Sequence, residues 1–128
     1  MLAVLAPLEP HLYALMRVVV GFLFLWHGSQ KLFGFPGEMP PGVPAFILYV
    51  AGPIELLGGL LVMIGLFTRP AAFLSSGLMA IAYWMGHGHK AILPAQNGGE
   101  LAALYCFVFF FIAARGGGDL SLDSRTSA

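Results

Sequence analysis

Hydrophobic residues fall into four long stretches, at about 12–33, 44–67, 70–88 and 98–115, separated by segments of different character. A helix rises about 1.5 Å per residue, so about 20 apolar residues cross roughly 30 Å of hydrocarbon. Each stretch approaches that length, and the fourth is the shortest. The first connection, GFPGEMPPGVP (34–44), is crowded with proline and glycine and predicts an irregular loop. The second, FTRP (67–70), predicts a tight turn in which Pro70 opens the next helix, where no amide hydrogen is needed. The third, GHGHKAILPAQNGG (86–99), is longer and polar. The pattern predicts an all-α, integral membrane four-helix bundle over residues 1–115, followed by a short polar tail, 116–128.

Polar residues interrupt these stretches at helical spacing. Positions 17, 20, 24, 27 and 31 recur at three and four, which puts Arg17, His27 and Lys31 on one face of the first helix. Lys31 lies near the helix end, where a long stem can snorkel to the headgroups. In the second helix, Glu55 lies far from either end, and an ionised carboxylate facing lipid there costs several kcal/mol, at least about 2. It must be paired, protonated or hydrated. Gly52, Glu55 and Gly59 share a face, so a neighbour can approach closely with the carboxylate at the contact. Pro53 removes one backbone hydrogen bond nearby. In the third helix Ser76, Ala80, Tyr83, His87 and Lys90 again recur at three and four, and the fourth begins with Asn97 and Glu100. At about 1.5 Å per residue, His27, Glu55, Tyr83 and Glu100 all stand roughly 18–23 Å above one end of the bundle, with Arg17 lower at roughly 8 Å.

Composition agrees with a lipid solvent. The chain is 59% hydrophobic and 9% charged, with a mean hydropathy of +0.85, whereas a soluble domain carries about 25% charged residues. Six basic and six acidic side chains with no basic tract give no electrostatic footprint for nucleic acid. The single cysteine, Cys106, excludes an intrachain disulfide. The N-terminus lacks the charged segment that begins a secretory signal, and it is expected to be retained. Four spans put both termini on the side of Arg17, Arg69, Arg115 and Arg125, against Lys31 and Lys90 on the other, so the positive-inside rule places both termini in the cytoplasm. The expected location is a bacterial or archaeal plasma membrane, as a multi-pass protein.

Arg17, His27, Lys31, Glu55, Tyr83, Asn97 and Glu100 therefore form the candidate intramembrane site. His87, His89 and Lys90 form a polar lip at the outer surface. Two histidines at i and i+2 diverge on a helix, so no metal site is expected. A structural alternative stands beside the functional one, because a buried Arg–Glu or His–Glu pair can fix the register of a bundle with no chemistry.

Three segments carry a family resemblance. MRVVVGFLFLWHGSQKLFGF, GPIELLGGLLVMIGLFTRPAA and NGGELAALYCFVFFFIAARGGGDLSLD together resemble the first, second and last helices of the DoxX family, the DoxX/DoxD-like small four-span membrane proteins. Arg17, His27, Lys31, Glu55, Arg69, Asn97 and Glu100 match the family pattern. The family is similar to a membrane subunit of thiosulfate:quinone oxidoreductases, which implies an accessory or membrane subunit of a redox system acting with a partner protein. A quinone or a small anion would then occupy the polar site, and quinone is the implied cofactor. Two alternatives remain open: a small proton-coupled permease, which would have to form a homo-oligomer, and a non-catalytic membrane scaffold.

Overall fold

The computed structural model describes residues 2–126. Every regular element among them is helical. After a 3-10 segment at Leu2–Leu8, α1 runs over Glu9–Phe33. A π-helical turn at Ile47–Ala51 leads into α2, Gly52–Ile64. Next, α3 covers Thr68–Tyr83 and ends in a second π-helical turn, Trp84–Gly88. A single turn, α4 (Pro94–Asn97), precedes α5, Glu100–Arg115, and α6 (Leu122–Thr126) lies in the tail.

The chain is an all-α membrane bundle of four main helices. Two continuous helices, Leu2–Phe33 and Ile47–Ile64, are long and apolar enough by themselves to cross a membrane. At 16 residues each, α3 and α5 rise about 24 Å. The π-turn prolongs α3 toward the loop.

Helix packing is uneven, and the unevenness makes the site. Helices α1 and α2 meet backbone to backbone through glycine. A Cβ on Gly21 would stand 2.5 Å from the Gly59 carbonyl oxygen, one on Gly59 would stand 2.7 Å from the Leu25 nitrogen, and Gly28 rests against Gly52 and Leu56 in the same way. On the next face, Gly58 admits Ser75 of α3. Bulk replaces glycine between α1 and α5, where Phe24 packs on Tyr105 and Phe109 with ring centroids 5.1 and 4.6 Å apart. Phe24, Val62, Ala72, Phe109 and Ile112 are fully buried in that core. Close contact on one side and aromatic spacers on the other leave room beside Phe24.

At the end of the bundle that carries both termini, the arginines hold backbone. Arg17 is 1% exposed and donates to the carbonyls of Val62, Met63 and Leu120 at 2.6, 2.9 and 2.7 Å. It thereby serves carbonyls in the last turn of α2, where Val62 has only the capping Gly65 N–H at 3.2 Å besides. Arg69 donates to the carbonyls of Ala113, Ala114 and Arg115 at the end of α5, and Arg115 pairs with Glu9. The short polar tail folds onto this end. Asp123 accepts from the backbone N–H groups of Phe67 and Thr68 at 2.8 and 2.9 Å, capping α3, whose own preceding residue is Phe67 and makes no side-chain cap.

Candidate intramembrane site

The first helix brings Lys31 to Glu55. The ammonium nitrogen lies 2.7 Å from a carboxylate oxygen, and the two side chains are 13% and 5% exposed. Gly28 and Gly52 allow this approach, since each lets the facing backbone come nearer than a side chain would permit. Helical side chains lean toward the N-terminus of their own helix. In this antiparallel pair, therefore, Lys31 leans into the bundle and Glu55 leans to meet it. Lys31 reaches inward rather than snorkelling outward, because a carboxylate buried between the helices attracts it more strongly than the headgroups do.

Two cavities border Glu55, and the first of them reaches Lys31 as well. A lateral one of about 300 Å³ lies between α2 and α3. Its polar lining consists of Lys31 and Glu55, and Phe46, Ile47, Ala51, Ile81 and Met85 make much of the rest. Phe46, Ile81 and Met85 are exposed apolar side chains, so the mouth of this cavity faces lipid. Both π-helical turns border it, one through Ile47 and Ala51 and the other through Met85 and Gly86. Such turns recur at functional sites because an extra residue in a helix re-aims its neighbours. Pro53, which lacks an amide hydrogen, follows the first of them.

The second cavity, of about 220 Å³, lies between α1, α3 and α5. It is lined by Phe24, His27, Glu55, His87, Ala102 and Tyr105, among others. The ring of His27 meets Tyr105 edge-on with centroids 6.1 Å apart. Glu55 and Ala82 border both cavities.

The remaining residues expected in the site lie elsewhere. Arg17 is engaged at the far end of α2. Tyr83 and Asn97 fasten the third connection: the Asn97 amide donates to the Tyr83 hydroxyl at 3.0 Å and to the Ala91 carbonyl at 3.2 Å, and accepts from the Gly99 N–H at 2.8 Å. His87 is tied to the same loop, with Nδ1 3.0 Å from the Asn97 carbonyl oxygen. Glu100 is exposed in the first turn of α5, where a carboxylate suits the helix dipole. His89 and Lys90 are exposed.

Tyr105 was not singled out in the sequence, and it lines the second cavity. The buried positions of α5 are Tyr105, Phe109 and Ile112, a face at spacings of four and three. Glu100 pointed to a different face, and a helix apolar on all sides gives periodicity nothing to work with.

The DoxX family model matches residues 12–88. An uncharacterized protein of Haemophilus influenzae is 41% identical over 91% of this chain and 92% of its own. The Escherichia coli inner membrane protein YphA is 28% identical over 91% of each chain. A Bacillus subtilis protein, provisionally named oxidoreductase CatD, is 44% identical over 43% of this chain and 44% of its own. No solved structure matches.

Proposed function

Since the chain belongs to the DoxX family of membrane proteins, we propose that it is the membrane component of a redox system and that its lateral cavity takes a quinone head group. The observation that carries this reading is the Lys31–Glu55 pair at the inner end of an otherwise apolar, lipid-facing cavity. A quinone is an apolar ring with carbonyl oxygens that accept hydrogen bonds. It partitions into lipid, and the cavity's volume lies at the lower end of the roughly 300–1,000 Å³ typical of small-molecule sites. Lys31 donates to one carbonyl oxygen, and Glu55 serves as the adjacent acid or base when protons are exchanged. The electrons come from a partner protein. The name of the Bacillus subtilis relative supports a redox setting.

A sulfur oxyanion suits the site less well. The charge of Lys31 is matched by Glu55, and Arg17 is committed to backbone carbonyls, so no surplus positive charge remains in the chamber.

The test is purification in nanodiscs, native mass spectrometry and a quinone assay on extracted lipid. Stoichiometric quinone in the wild type, lost in Glu55→Gln and in the cavity-filling Ala51→Phe, is the expected result. Wild-type protein that stays empty after incubation with a quinone series overturns it. Proton-dependent solute uptake by vesicles would then favour the permease.

A further inference from the structure

The second cavity has a different chemistry from the first. We propose that it is a water-filled proton path joining the Glu55 carboxyl to the end of the bundle opposite the termini. Glu55 would thus face a quinone-sized apolar cavity on one side and an aqueous one on the other. The inference rests on the reading of Glu55 as the reactive group of the site, and it adds where its proton comes from and goes.

The carboxylate is 4% exposed, yet it borders this cavity together with the imidazoles of His27 and His87 and the ring of Tyr105. Genuinely empty cavities are apolar, whereas a polar one holds water that bonds to its lining. At about 30 Å³ per water, the 220 Å³ cavity has room for about seven molecules. His87 and Gly98 line it too, and both belong to the segment that closes the distal end, where Asn97 holds His87 in place. Among the described residues, the lateral cavity is lined by no polar side chain beyond the ion pair, so the two compartments differ in solvent.

The step moves a proton and no electrons. The O–H bond of the Glu55 carboxyl breaks, a water in the second cavity takes the proton, and the carboxylate left behind is held by the Lys31 ammonium. Uptake is the reverse. The charged and titratable groups around Glu55 are Lys31 and His27 from α1, His87 from the turn after α3, and Tyr105 from α5.

Cysteine accessibility tests this directly. In a Cys106→Ala background reconstituted in lipid vesicles, single cysteines are placed at Ala102, which borders the second cavity alone, and at Phe107, which is 72% exposed and faces lipid. A membrane-impermeant cationic methanethiosulfonate is the probe. Modification of Ala102→Cys at least ten-fold faster than Phe107→Cys is expected, and equal rates overturn the proposal. Infrared spectroscopy supplies an independent readout. In acid that protonates Glu55, its carboxyl band, identified by its loss in Glu55→Gln, is expected to shift on the mixing timescale when D₂O replaces water, and more slowly in Ala102→Leu. A band that exchanges at the same rate in both proteins also overturns the path. Neither measurement needs a quinone. An accessible Ala102→Cys in an empty protein leaves this inference standing while the quinone reading fails, and bound quinone beside an inaccessible Ala102→Cys does the opposite.

Discussion

At the scale of single residues, charge in this protein is placed by what it can pair with. Arg17 and Lys31 share a helix face, yet one holds the carbonyls of Val62 and Met63 and the other the carboxylate of Glu55. Removing one partner of a buried ion pair typically costs about 3–5 kcal/mol, while replacing both with apolar groups is often neutral or stabilising. Lys31→Met and Glu55→Leu are each expected to lower the thermal midpoint in detergent, and the double variant to recover most of the loss. Additive losses would show that the two side chains do not depend on each other. Arg17 differs because its partners are backbone and cannot be mutated away. Arg17→Leu strands buried acceptors at about 1–3 kcal/mol each, so no second-site apolar substitution at position 55 should rescue it. Thermal melts of Arg17→Leu with and without Glu55→Leu check that separation.

Between helices, glycine decides where the cavities are. The α1–α2 seam has no room for a methyl group at Gly21, Gly28 or Gly59, whereas the α1–α5 seam is propped open by Phe24, Tyr105 and Phe109. Gly28→Ala would press a Cβ against the Leu56 backbone and the Gly52 carbonyl. Overpacking of this kind costs about 1–3 kcal/mol, and here it would also part Lys31 from Glu55. Gly77 has nothing near its missing Cβ, so Gly77→Ala should leave stability within about 0.5 kcal/mol, or raise it slightly through helix propensity. Comparing the two by thermal unfolding and quinone content checks the seam, and equal tolerance would disprove it. Gly52 and Gly59 of this seam were legible in the sequence, as was the face of α2 they share with Glu55, whereas Gly21 and Gly28 of α1 were not. The inward face of α5 was not, because lipid-facing and core-facing residues are equally apolar. Glu100 drew attention to the wrong side, since an acidic residue in a first helical turn is satisfied by its position alone. The two π-helical turns were also hidden: Pro53 announced a disturbance near the first, but nothing in WMGHG marks a change of pitch.

For the molecule as a whole, the all-helical architecture followed from hydropathy and punctuation, because the bilayer leaves few alternatives to helices. The closure of the terminal end did not, since it depends on contacts between residues distant in sequence. Tyr13 donates to the Gly116 carbonyl at 2.6 Å, Arg17 to Leu120, and Asp123 accepts from the start of α3, so the tail joins α1, α2 and α3 at one point. Burial alone would push the Asp123 carboxyl up, but hydrogen bonds from Thr68 and Phe67 and the charge of Arg17 outweigh it and hold it below the ordinary value of 3.8. A depressed carboxyl stabilises the folded state at pH above its unfolded value, and that contribution is lost as pH falls through the lower folded value. The clasp should therefore be intact at neutral pH and release the tail only in strong acid, below about pH 4. Hydrogen exchange at the Phe67 and Thr68 amides reads this release: protection is expected to persist down to pH 4 and to fall below it. In Asp123→Asn the amide cannot accept as a charged group, so those two positions should be less protected at every pH and show no acid step. An acid step that survives in Asp123→Asn would assign the clasp's pH dependence to another group.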